Sequence, residues 1–202
     1  MRQEDTIIET FFDECCKLYG DKSWAASAWA SKENQHAMFR CLSLVGDMSE
    51  GSVLDVGCGQ GDFCDFLGTE NYTGIDISKE MITRAKAKKP NIDFQLTNLL
   101  DYETKHDWVV VGGPFNLRVR DSAEKQMDYL QTLIEKAFSL AESGLVFTVL
   151  SENMTIPERQ WAQLFYYKPA EILSMCLSLS NHAAMDHITL PSQAVFYMPK
   201  MS

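Results

Sequence analysis

The residues best suited to do chemistry lie in Val53-Leu54-Asp55-Val56-Gly57-Cys58-Gly59-Gln60-Gly61-Asp62, an apolar run that enters three glycines spaced two apart. Glycines allow a tight turn with positive φ and let a backbone approach a ligand closely. In an open α/β sheet that ligand lies at the carboxyl end of the strand. A dinucleotide pyrophosphate loop takes G-x-G-x-x-G, but here the third glycine comes two residues after the second and Asp62 fills the remaining slot. A carboxylate at a helix N-terminus competes with a pyrophosphate for the same backbone N–H groups, which weakens an NAD or FAD reading. The second anchor is Tyr72-Thr73-Gly74-Ile75-Asp76-Ile77-Ser78, where Asp76 closes the next apolar run. A carboxylate there accepts hydrogen bonds from both ribose hydroxyls of a nucleoside. Asp76 could instead cap the following helix, although Ser78 is already placed for that role.

Other reactive side chains are scattered. His36, His106, His182 and His187 are the four histidines, each able to titrate near neutral pH. His187 lies beside the expected terminal turn and is a candidate base or acceptor contact, against the alternative of a surface or capping histidine. Tyr166 and Tyr167 precede a helix start at Pro169 and either close over a site or anchor a loop to the core. Asn116 ends the loop Gly112-Gly113-Pro114-Phe115-Asn116 and is a candidate contact or a turn residue. Cys58 reads as a small packing residue. There is no HExxH, ligand-spaced histidine pair or EF-hand loop, so no metal is expected.

The elements that must position these groups follow from periodicity. Residues 5–19 place Ile8, Phe11, Phe12, Cys15 and Leu18 on one helical face, ended by Gly20-Asp21. Ser31 as N-cap opens a second helix over 31–46. Strands are expected at 52–56, 72–77, 92–96, 108–111 and 144–150, alternating with helices at 61–67, 78–88 and 121–141. A helix over 169–179 begins at Pro169. Two strands near 182–188 and 193–198, joined around Leu190-Pro191, form an edge hairpin. Apolar strands alternating with helices mean a mostly parallel sheet buried on both faces, hence one α/β domain. Residues 1–50 read as a helical cover and 51–202 as the ligand-binding part of the same domain.

Composition sets the outer limits. The 202 residues carry 28 Asp+Glu against 18 Lys+Arg, a net charge of -10, and six cysteines without paired metal spacing. This acidity disfavours nucleic acid, since phosphate-gripping proteins present basic faces. The lysines of 79–89 with Arg118 and Arg120 are the residues that could form a basic patch, and they read as a solvated face. Reduced cysteines, with no leader-like start and no run of about 18 apolar residues, lead to the expectation of a cytoplasmic protein without membrane contact.

VLDVGCGQGDF followed by YTGIDIS resembles the class I S-adenosylmethionine-dependent methyltransferases. Over about residues 20–200 the resemblance implies a Rossmann-like, seven-stranded sheet with an antiparallel last strand. It implies that Gly57, Gly59 and Gly61 line the methionyl part of S-adenosylmethionine, and that Asp55 orients its ammonium group through a hydrogen bond or a water. Asp76 would hold the ribose, Ile77 would pack on the adenine, and Asn98-Leu99 would border it. Many relatives have Asp at the position of Asn98, whose carbonyl can accept the same hydrogen bond. DWVVVGGPFNLR, GLVFTVLS and FYYKPAEIL, with Trp29, Ser31 and Gln35 ahead of the first strand, are similar to a bacterial and phage subgroup of small methyltransferases, which also has a histidine matching His187. Arg40 either pairs its bidentate fork with the cofactor carboxylate or lies on a solvated helix face, and Gly112 and Trp29 would complete the cofactor's surroundings, Trp29 either as a lid with Trp24 or as packing. The 112–116 loop resembles the Asn/Asp-Pro-Pro-Tyr/Phe loop of amino-methyltransferases, but Gly112 lacks the decisive side chain. The implied activity is methyl transfer to oxygen or nitrogen of a small molecule by a monomer or homodimer. A macromolecular acceptor (tRNA, DNA or protein) and a non-catalytic S-adenosylmethionine-binding protein are the alternatives.

Overall fold

The protein is described here from a computed structural model covering residues 2–20, 22–153, 163–190 and 192–200. Its frame is a seven-stranded sheet in the order β3-β2-β1-β4-β5-β7-β6. The strands are β1 (Val53–Val56), β2 (Tyr72–Asp76), β3 (Asp93–Leu96), β4 (His106–Val111), β5 (Ala141–Leu150), β6 (Ala184–Asp186) and β7 (Gln193–Pro199). Strands β1 to β5 pair in parallel, whereas β7 runs antiparallel to both β5 and β6. β1, β2 and the inner half of β4 are wholly buried, as near-continuous apolar runs require when helices cover both faces. The helices are α1 (Gln3–Tyr19), α2 (Ser23–Ala26), α3 (Lys32–Leu42), α4 (Asp62–Leu67), α5 (Lys79–Lys88), α6 (Ala123–Leu140) and α7 (Pro169–Leu179). On one face of the sheet α6 and α7 bury Leu130, Ile134, Ile172 and Cys176 against Leu54, Val109 and Phe147. A second cluster contains Met38, Phe39 and Leu42 of α3 with Phe63, Phe94 and Val110.

Local signals set the helix starts. Ser31 and Ser78 accept from the N–H groups of Asn34 and Met81, at 3.2 and 3.1 Å, the N-cap geometry expected for these residue types. The three largest departures from the sequence reading are these. The helix expected to reach residue 46 ends at Leu42 and tightens into a single 3₁₀ turn, with Ser43 Oγ donating to the Arg40 carbonyl. β5 starts at Ala141, directly after α6. The strand expected over 182–188 shrinks to three residues, because Asp186 Oδ1 accepts from the Ile188 and Thr189 N–H groups and turns the chain away. Asp21 and Pro191, expected in turns, lie outside the described residues.

Candidate active site

A cavity of about 720 Å³ extends along the carboxyl ends of the parallel strands. It passes Thr97, Asn98 and Leu99 after β3, Asp76 and Ile77 after β2, and Gly57 and Gly59 after β1. It continues over Gly112–Asn116 after β4 to Leu150 at the end of β5 and Gln193 at the start of β7. Since β7 is antiparallel, its first residue joins the row of strand ends. This is the edge at which open α/β sheets hold ligands.

At β1 the chain leaves the sheet through Gly57, whose φ is +72° and whose N–H donates to the Ile75 carbonyl at 2.8 Å. A Cβ on Gly57 would stand 2.0 Å from Cγ of Pro114. The absence of a side chain therefore lets the β4 loop close down on the β1 loop. Gly61 serves α4 as its N-cap and packs under the Phe94 ring, outside the cavity lining, so its role here is in packing. Cys58 is likewise buried, and burial raises its thiol pKa well above the usual range.

Asp76 ends β2 with its carboxylate in the cavity wall. Oδ2 accepts from Gly59 N–H at 3.0 Å and Oδ1 from Ser78 N–H at 2.8 Å. Burial raises its pKa, against the opposing pull of these hydrogen bonds. A carboxylate offers about four acceptor positions, so these hydrogen bonds do not exhaust it. Asp55 sits one layer deeper, mid-strand in register with Gly74 and Val110. Its carboxylate accepts from the Tyr72 hydroxyl, and burial pushes its pKa up to about 7. It does not line the cavity, so a direct bond to a bound ammonium group is not available from this position.

Asn98 lines the cavity, with Oδ1 accepting from Leu100 N–H and Nδ2 donating to Asp5, both at 2.7 Å. The Asn116 carboxamide accepts from Leu150 N–H at 2.8 Å and its carbonyl from Phe165 N–H at 2.7 Å, which joins the β4 loop to the end of β5. Tyr166 lines the cavity beside it. Tyr167 is core: its hydroxyl donates to the Phe115 carbonyl and accepts from Gln126 Nε2. Trp29 and Gly112 line the cavity; Arg40 and His187 do not. Arg40 is exposed on α3, while His187 is half-buried with its Nε2 enclosed and unpartnered. The structure thus gathers Trp29, Gly57, Gly59, Asp76, Ile77, Asn98, Leu99, Gly112, Asn116 and Tyr166, and leaves Arg40, Asp55, Gly61 and His187 outside.

Several residues at this site went unread in the sequence. α1 covers the cavity with Ile8, Phe11 and Phe12, and its N-terminal end is held by polar contacts. Glu4 takes two hydrogen bonds from the Arg120 guanidinium, at 2.8 and 3.2 Å, and Arg2 makes a matching fork to Asp101. Arg120 also lies 4.6 Å above the Tyr129 ring. Gln126 Oε1 accepts from the N–H groups of Val119 and Arg120 and so shapes the loop that carries this arginine. The only trace in the sequence was the apolar face of α1. The polar partners lie about a hundred residues apart and follow no period. Among the described residues no group of histidines, cysteines and carboxylates could hold a metal ion.

A glycine loop after the first strand, an acid after the second and a reversed last strand together define the class I methyltransferase fold, an α/β class of enzymes. Residues 47–192 match the family model described as a methyltransferase domain. The chain belongs to this S-adenosylmethionine-dependent methyltransferase family. A Mycobacterium tuberculosis protein whose name gives a provisional methyltransferase assignment is 26% identical over 142 residues, 67% of this chain and 84% of that protein. A demethylmenaquinone methyltransferase of Lactococcus lactis is 31% identical over 149 residues, 66% of this chain but 56% of that relative, so the chain spans little more than half its length. Among solved structures, magnesium protoporphyrin IX methyltransferase from Synechocystis with bound S-adenosylmethionine superposes with a TM-score of 0.69 over 100% of this chain and 99% of that one. Its 18% identity makes this a likeness of fold.

Proposed function

We propose that this methyltransferase acts on oxygen or nitrogen of a small molecule held in the 720 Å³ cavity. The observation that carries the reading is the cavity itself, which runs beyond the glycine loop and Asp76 to β5 and β7 under the cover of α1. The names of relatives that act on demethylmenaquinone and on magnesium protoporphyrin IX support a small acceptor. The candidate basic patch gives little support to nucleic acid: Lys88 pairs with Asp62 and Asp65, Lys89 with Asp65, and Arg120 with Glu4.

In this reading Gly57, Gly59, Gly112 and Trp29 surround the methionyl part of the cofactor, Asp76 holds the ribose, and Ile77, Asn98 and Leu99 border the adenine. Bound S-adenosylmethionine supplies an electrophilic methyl group. The chain aligns the acceptor with it and keeps water out, contributions that reach several kcal/mol in aligned reactions. Asn116 and Tyr166 flank the acceptor end. His187, lying outside the lining, would need a rearrangement to act as a base.

Two measurements test the proposal. S-adenosylhomocysteine should bind the wild type in isothermal titration and bind Asp76→Ala about tenfold or more weakly. Radiolabelled S-adenosylmethionine should then label the small-molecule fraction of a cell extract. Label appearing only in RNA, DNA or protein would overturn the small-acceptor reading.

A further inference from the structure

The part of the cavity over the glycine loop lacks a group that a bound amino acid needs. A carboxylate only accepts hydrogen bonds, so it must meet donors, and a cation is its strongest partner. Asp76 is the only charged side chain among the described lining residues, and Arg40 lies outside. The glycine loop has few donors to spare. The N–H groups of Gly57 and Cys58 both donate to the Ile75 carbonyl, Gly59 N–H donates to Asp76, and Gly61 N–H to the Cys58 carbonyl. A free donor on this side comes from the turn after α2. Ser27 lines the cavity, with Oγ 3.0 Å from where a Cβ on Gly59 would stand. Its hydroxyl is accessible and has no hydrogen-bond partner among the described residues.

The next residue is strained. Ala28 has φ +61°, which no other described residue except glycine shares in sign, and it too lines the cavity. Its N–H donates to the Ala25 carbonyl at 3.0 Å, and Trp29 N–H donates to the Trp24 carbonyl at 2.9 Å. These two bonds make the Schellman close of a helix, in which glycine ordinarily takes the left-handed position. Glycine at 28 would relieve the strain, because it has no Cβ to crowd the following carbonyl. Strained residues of this kind persist where their surroundings over-determine them, and they gather at ligand sites. Resting on the methyltransferase reading above, we infer that the Ser27-Ala28-Trp29 turn seats the amino-acid end of the cofactor. Ser27 Oγ donates to the cofactor carboxylate, and the Ala28 methyl packs on the methionyl chain. The ribose hydroxyls, which donate to Asp76 in that reading, need an acceptor instead, so the two ends of the ligand call on groups of opposite sense. Alanine at 28 thus lowers stability and raises affinity.

Isothermal titration tests this with S-adenosylhomocysteine, with its decarboxylated analogue, and with methylthioadenosine, which lacks the whole amino-acid end. The two analogues are measured by displacement of S-adenosylhomocysteine. Ser27→Ala should bind S-adenosylhomocysteine about tenfold or more weakly, and both analogues within about twofold of wild type. Ala28→Gly should raise the Tm of the ligand-free protein by about 2–4 °C. It should nevertheless bind S-adenosylhomocysteine about fourfold more weakly, with methylthioadenosine unchanged. A residue that only closes the helix would gain stability without losing affinity. Failure of the wild type to bind S-adenosylhomocysteine would refute the underlying methyltransferase reading. With that ligand bound, the inference alone is overturned if Ser27→Ala keeps its affinity or weakens the analogues equally. It is overturned too if Ala28→Gly loses stability or keeps the wild-type affinity.

Discussion

Replacing Gly57 by alanine tests the claim that the β1 and β4 loops close on each other through a missing side chain. Two costs are expected. An alanine at φ +72° pays about 1–2 kcal/mol for the left-handed backbone. Its Cβ would also stand 2.0 Å from Pro114 Cγ, so the proline must move, an overpacking strain of about 1–3 kcal/mol. Gly68 separates the two costs, because it has φ +67° but no atom within 4 Å of an added Cβ. Gly68→Ala should therefore lose only about 1–2 kcal/mol, and Gly57→Ala about 1–3 kcal/mol more. Urea unfolding followed by circular dichroism gives both values, provided the m-values match. Because Gly57 and Pro114 both line the cavity, Gly57→Ala should also weaken S-adenosylhomocysteine about tenfold or more, with Gly68→Ala unchanged. Equal destabilisation of the two variants, or cofactor affinity unaffected at Gly57, would refute the argument.

Two more perturbations probe the surroundings. The Asp55 pKa stands at about 7 against an ordinary 3.8, so the folded state holds this proton more tightly. Stability from this group is fully present below the unfolded value and is lost as pH rises through about 7. The stability of wild type relative to Asp55→Asn should accordingly fall by up to about 4 kcal/mol between about pH 4 and pH 8, and a pH-independent difference in urea unfolding would contradict it. Arg120→Ala leaves Glu4 buried without its two hydrogen bonds, at a cost of about 1–3 kcal/mol. Amide exchange over residues 3–19 should accelerate, and unchanged protection there would show that the ion pair does not hold α1 down.

What the sequence revealed follows the range of the interactions involved. Ser31 and Ser78 were legible as caps because each bonds an amide three residues away. The glycine loop and Asp76 were legible because adjacent parallel strands bring their ends together wherever the fold is α/β. Arg40 belonged to the right helix, but α3 turns it to solvent while presenting Met38 and Leu42 to Gly112. Asp55 had the expected identity but lies within the strand, one residue short of its carboxyl end, where the Tyr72 hydroxyl donates to its carboxylate. Gln193 had no sequence signal at all. It reaches the cavity only because β7 reverses direction and inserts between β5 and β6.

That insertion also sets when the protein can become functional during its synthesis. The glycine loop, Asp76 and the β4 loop have all been made by residue 116, yet β5 remains an open edge until β7 arrives. Val195, Phe196 and Met198 are fully buried, so the last strand contributes core as well as pairing. A nascent chain halted near residue 190 would carry most of the cavity-facing loops beside the unpaired edge of β5, whose residues 144–149 are buried in the folded protein, the kind of edge that recruits other chains. Solubility and catalytic competence should therefore appear together, once the residues of β7 have been translated.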